Sequence, residues 1–178
     1  AIQSSSKAQI IKHLRVIDSA ATRSSEMDKA AFLTLALSNR GRFAGIGGQG
    51  SSIDGNGLIA EIFEHNSTHD MLVVSESEYS PECSYRLRSA KKMALAGLSS
   101  TITKSTTRHG EADCTLIFNS HGQTHTNVCE ERYELYCLKY KSNGVETAKR
   151  LGVDTPTIML LPRRNDQANH YELASVTE

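Results

Sequence analysis

With 178 residues, 38% of them hydrophobic, 22% charged and only three proline, the chain has the size and composition of one globular domain spanning residues 1–178, which excludes a disordered or collagen-like polymer. Its 20 basic and 20 acidic residues cancel, so no net field draws the polyanionic backbone of nucleic acid or an acidic membrane surface. No apolar run approaches the roughly 20 residues that a membrane-spanning helix needs.

Residues 4–40 read as a helical hairpin. In "SSSKAQIIKHLRVIDSAATR", Ile10, Leu14, Ile17 and Ala21 recur at helical spacing behind Ser4 to Ser6, which offer an N-cap. In "SSEMDKAAFLTLALSNRG", Ser25 and Asp28 imitate a capping box, and Gly41 stands where a left-handed residue would close the helix. The glycine-rich "GRFAGIGGQGSSIDGNG", residues 41–57, sets Gly45, Gly47 and Gly50 at the G-x-G-x-x-G spacing of a dinucleotide-binding turn. Such a turn needs a strand before its first glycine and a helix opening at its third. Here a helix end precedes it, and it is followed by Ser-Ser-Ile-Asp-Gly-Asn-Gly, where each glycine costs a helix about 1 kcal/mol. The segment therefore reads as a surface loop or a tight turn that lets backbones pass close together, and no nucleotide cofactor is expected.

"LIAEIF" (58–63) and "MLVV" (71–74) follow as short apolar runs that read as buried strands, although periodicity alone does not exclude helix. "SPECSYRLRSAKKMALAGL" reads as one amphipathic helix, with Ser80 as N-cap, Pro81 at the first helical position and Gly97 just past the end. Cys83, Leu87, Ala90 and Ala94 share its apolar face, and Arg86, Arg88, Lys91 and Lys92 occupy the others. "STITKST", "CTLIFNS" and "VCEERYELYCLKY" form an antiparallel meander, and counting outwards from a turn near Gly122-Gln123 brings Cys114 almost opposite Cys129. A short helix in "GVETAKRLG", a final strand "TIMLL" and a polar tail after Pro162 complete the chain. The fold class expected is α+β: an N-terminal helical hairpin and an antiparallel sheet covered by a central amphipathic helix.

Chemically capable side chains concentrate in "RHGEADC" and "SHGQTHTNVCEE". His109 and Glu111 make the H-x-E of zinc-dependent deaminases, but the P-C-x-x-C partner is missing. His121 and His125 flank a turn instead of sharing a helix face, so no metal site with His109 is expected. Without a metal, Glu111 as base, His121 or His125 as acid and Arg108 as anion stabiliser are the types that cleave phosphodiesters. "EADCTLIFNSHGQ" resembles a core strand of small secreted microbial ribonucleases over about a dozen residues, with Cys114 where those carry an arginine just after the Asp. Cys83 supplies a second catalytic candidate, a thiol in the first turn of a helix, with a later histidine as its base; its apolar neighbours and Glu78 and Glu82 oppose thiolate formation. The bland alternative is a polar hairpin whose cysteines pair across strands.

The even set Cys83, Cys114, Cys129 and Cys137, the acceptor sequence Asn66-Ser67-Thr68 and abundant Ser and Thr point together to a secreted glycoprotein. The expected pairing is Cys114 with Cys129 and Cys83 with Cys137. Lys149-Arg150 and Arg163-Arg164 are dibasic pairs of the kind that processing proteases cut. The leading functional expectation is a secreted, disulfide-stabilised protein of effector or toxin type that binds or acts on an extracellular or foreign target, a protein or a small molecule. A hydrolase built on Cys83, or on Arg108, His109, Glu111, His121 and His125, is the alternative.

Overall fold

A computed structural model describes residues 12–43, 50–164 and 167–171. Its longest hairpin joins β4 (Gly55–Glu64) to β5 (His69–Tyr79), in register from Gly55 opposite Tyr79 to Glu64 opposite Asp70. Both faces of this hairpin are apolar. Phe63, Met71 and Val73 point one way, and Ala60, Ile62, Leu72 and Val74 the other, the signature of strands covered on both sides.

The hairpin is the centre of a seven-stranded sheet. Strands β3 (Phe32–Leu37) and β12 (Tyr140–Asn143) share the free edge of β4. Along β5 lie β13 (Thr157–Arg164), edged by β14 (Gln167–Tyr171), and the two-residue β2 (Ser25–Glu26). Helix α2 (Val145–Leu151) packs Val145 and Ala148 onto one face of the sheet. The opposite face is covered by helix α1 (Ala90–Ala96) and by a three-stranded antiparallel sheet of β7 (Ser99–Lys104), β8 (Ala112–Ser120) and β9 (Gln123–Val128). Met93, Leu98, Leu116 and Phe118 from these elements meet Phe63, Met71 and Val73 in the main core. A third sheet has the order β10 (Glu130–Arg132), β11 (Leu135–Leu138), β1 (Arg15–Asp18), β6 (Arg86–Ser89), with β1 and β6 parallel.

The fold is thus mostly β, with 53% of the described residues in strands and 13% helical, and the expected α+β arrangement is wrong. The described part of the N-terminal segment is not a helical hairpin. Arg15–Asp18 is a strand between β6 and β11, and "FLTLAL" is β3; Ser4 to Ser6 and Ile10 lie outside the described residues. Asp28 does cap, but it caps a single 3-10 turn over Lys29–Ala31, accepting from the Ala30 N–H at 2.9 Å. Gly41 is left-handed at φ 95°, yet no helix precedes it.

The covering helix is also shorter than expected. Ser80 and Pro81 open a turn in which the Cys83 N–H reaches the Ser80 carbonyl, Arg86–Ser89 is extended, and Ser89 is the N-cap, accepting from the Lys92 N–H at 3.3 Å. Gly97 ends the helix at φ 106°, as its position in the sequence implies. Tertiary pairing to β1 overrides helical periodicity in the first half of this segment.

The glycine-rich segment is a hairpin extension. Backbone bonds from Phe43 to Ser51 and from Arg40 to Ile53 carry the β3–β4 ladder outward, and β4 begins at Gly55, within the stretch read as loop; Gly45 and Gly47 lie outside the described residues. At Gly57 a Cβ would sit 1.8 Å from the Thr34 carbonyl oxygen. Only glycine permits that approach of β3 to β4.

Candidate functional site

Along β8, Cys114, Leu116 and Phe118 point into the core while Thr115, Ile117 and Asn119 face outward. The turn at His121 and Gly122, both left-handed, sets Thr115 opposite Val128, so Cys114 and Cys129 are the next cross-strand pair. The Cys129 N–H donates to the Cys114 carbonyl at 2.8 Å. The two thiols act on one another's ionisation as hydrogen-bond partners. The interaction lowers the pKa of Cys114 against the opposing effect of burial, and together with burial it raises that of Cys129. Cys137, on β11, is pushed up to about 11, mainly by burial and then by the charge of Glu130. All four cysteines are buried, and no two of their sulfurs stand at disulfide-bonding distance in this structure. Cys137 pairs with Val16 of β1, and β6 lies on the far side of β1, so a strand separates it from the segment that carries Cys83.

Cys114 forms part of the floor of a groove of about 330 Å³ between β7–β8 and the β1–β11 pair. Ile17, Ile102, Leu135 and Tyr136 give it apolar walls, and Asp18 and Glu134 put two carboxylates on it, with no cationic residue among the described residues that line it. Glu134 belongs to the two-residue turn joining β10 to β11, in which Tyr133 and Glu134 hold φ of 53° and 63°. Both are left-handed without being glycine, the backbone of a tight I′ hairpin. The Tyr136 hydroxyl anchors this hairpin by donating to the Ala112 carbonyl at 2.9 Å.

The side chains expected to carry acid–base chemistry are not brought together. Arg108, His109 and Glu111 are exposed in the loop before β8, whereas His121 lies in the turn after it and His125 on β9 opposite Phe118. At about 3.4 Å per residue the ends of β8 are roughly 27 Å apart. The Arg108 guanidinium is already engaged by Asp113 at 2.7 Å, Glu131 at 3.2 Å and the Ala112 carbonyl. Cys83 is 8% exposed and sits in a turn with no helix dipole behind it. Burial pushes its thiol pKa up, with a hydrogen bond involving Ser25 acting in the opposite direction.

Two features escaped sequence reasoning. Arg88, placed by periodicity on a polar helix face, is completely buried between Glu61 (2.7 and 2.9 Å) and Glu26 (2.8 Å), with Arg15 on Glu61 and Arg86 on Glu26. Burial opposes ionisation of Glu61, but the charges and hydrogen bonds of Arg88 and Arg15 outweigh it and hold the carboxyl below its ordinary range. Nothing local in "YRLRSA" distinguishes this arginine from a solvated one. The second is His65, whose ring packs 5.2 Å from Phe118 and 5.8 Å from His125.

Among the described residues, no group of three or more His, Cys, Asp or Glu side chains could hold a metal ion, and no helix is long and apolar enough to cross a membrane. The chain matches no model of a protein family, no curated protein and no solved structure.

Proposed function

We propose that this chain is a small secreted β-rich protein of effector or toxin type, clamped by a Cys114–Cys129 disulfide, which binds an extracellular or foreign target. The observation that carries this reading is the placement of the two cysteines at directly opposed positions of an antiparallel pair, joined by a backbone hydrogen bond. Opposed residues have Cβ atoms about 4.5–5.5 Å apart, from which a small adjustment reaches disulfide geometry. Closing the intervening loop would contribute about 3 kcal/mol in the chain-entropy model.

Binding is favoured over hydrolysis because the acid–base side chains are divided between the two ends of β8 and the Cys83 thiol is buried with a raised pKa. The groove beside Cys114, apolar with two carboxylates and no cation, is the surface we assign to the target, and it suits a neutral or basic ligand. Asn66, in the exposed β4–β5 turn, is accessible for glycosylation.

The test is peptide mapping under non-reducing conditions of protein from its native source. The reading expects the fragments containing Cys114 and Cys129 to be recovered as one species. Free thiols at both positions would overturn it. Rapid alkylation of Cys83 in the folded protein would instead favour a cysteine hydrolase.

A further inference from the structure

We propose that His65, packed against Phe118 and His125, is an acid-responsive latch between the β4–β5 turn and the β8–β9 hairpin, closed while its imidazole is neutral and released when it is protonated. His65 and His69 flank the β4–β5 turn, the one following β4 and the other opening β5, and His125 comes from β9 in the β8–β9 hairpin. His125 stacks on Phe118 with ring centroids 5.3 Å apart, and His65 meets both rings edge-on, at 5.2 Å from Phe118 and 5.8 Å from His125. This cluster, with the Asn127 side-chain amide donating to the Glu64 carbonyl at 3.2 Å, is where the turn rests on the hairpin.

At His65 no acceptor among the described residues is in place for the N–H that protonation would create. The Nδ1 atom of His65 is buried and has no hydrogen-bond partner, so protonation would leave a charged N–H without an acceptor. His125 has one long contact, 3.4 Å from Nε2 to the Ser120 carbonyl, and the Nδ1 of His69 is taken by the Thr68 hydroxyl at 2.8 Å. Nor does a nearby acid compensate. Glu64 is exposed, Asp70 is committed to Lys141 and Arg163 at 2.7–2.8 Å, and β8 contributes Phe118. Burial lowers the pKa of His65, and the like charges of His125 and then His69 lower it further. A histidine held below its unfolded value of about 6.5 stabilises the closed state above that pH, and the contribution is lost as pH falls through the folded value. The latch therefore opens on the acid side.

The rest of the turn can survive the release. Asn66 Oδ1 accepts from the Thr68 N–H, the Thr68 hydroxyl and the His69 N–H, and the Arg163 N–H donates to the Thr68 carbonyl. These bonds tie the turn to itself and to β13, and none involves the imidazole of His65. Opening would be confined to the three-stranded sheet.

Hydrogen exchange of the full chain at about pH 7.5 and about pH 5, corrected for intrinsic rates, tests the latch in wild type and in His65→Phe, which keeps a ring against Phe118 and removes the proton site. Peptides covering residues 115–128 should exchange about tenfold faster at the lower pH in wild type, with residues 70–74 unchanged. His65→Phe should abolish the acceleration, and His125→Phe replaces it should that variant not fold. No acceleration in wild type, equal acceleration in the variant, equal acceleration at residues 70–74, or NMR titration of His65 at or above its ordinary value would each overturn the proposal.

Discussion

Replacing Arg88 by Met isolates the buried ionic core. The guanidinium is completely buried and donates to Glu61 at 2.7 and 2.9 Å, to Glu26 at 2.8 Å and to the Ser25 carbonyl at 2.6 Å. Breaking a buried charge pair costs about 3–5 kcal/mol because the stranded charge has no water to return to. Each carboxylate keeps one cation, Arg15 for Glu61 and Arg86 for Glu26, both at 3.0 Å, and Glu26 also goes on accepting from the Met27 and Asp28 N–H groups at 2.9 and 3.0 Å. The loss should therefore fall at the lower end, about 3 kcal/mol, still a large fraction of the 5–15 kcal/mol that ordinarily separates folded from unfolded chains.

Urea unfolding read by circular dichroism measures this loss at neutral pH, and repeating it across the acid range adds a second readout. Glu61 has a folded pKa below its unfolded value, so its contribution is present above about pH 4.5 and is lost as pH falls through the folded pKa. Without Arg88, burial gains weight against the remaining attraction of Arg15, and the acid limb of the stability curve should flatten. A loss under about 1 kcal/mol with an unchanged acid limb would refute the reasoning, since it would mean that the network is solvated or can repack at little cost.

Gly57→Ala should destabilise the chain by about 3 kcal/mol, because the new methyl group would overlap the Thr34 carbonyl and part β3 from β4; a thermal melt matching wild type would contradict this close approach. Glu134→Gly should stabilise by about 0.5–1 kcal/mol by removing a left-handed non-glycine residue at φ 63° from the β10–β11 turn, and a fall in the denaturation midpoint would show that the Glu134 side chain outweighs the backbone strain.

Parts of the fold were legible wherever a local rule and the tertiary environment agreed. Gly97 and Gly152 end α1 and α2 in the left-handed conformation because a residue without Cβ takes it at least cost. The expected turn near Gly122-Gln123 and the alternation in "CTLIFNS" brought Cys114 almost opposite Cys129; the structure centres the turn one residue earlier, at His121-Gly122, and makes strand β9 of residues read as loop, which sets the register. "TIMLL", "LIAEIF" and "MLVV" are short apolar runs with β-branched residues, read as strands although periodicity alone leaves helix open, and they are strands here. The candidate catalytic set was not legible as a site, because residue types close in sequence at the two ends of a nine-residue strand are far apart in space.

By itself, then, the sequence determined the glycines that end α1 and α2, the central strands and the charge balance, all properties of neighbouring residues or of simple counts. The tertiary structure decided the conformation of Arg15–Asp18, Phe32–Leu37 and Arg86–Ser89, whose apolar spacing is compatible with helix or strand until a partner strand claims it. It also decided that Arg88 is buried. A guanidinium can leave water only where carboxylates meet it, and Glu26 and Glu61 lie 62 and 27 residues away in the chain.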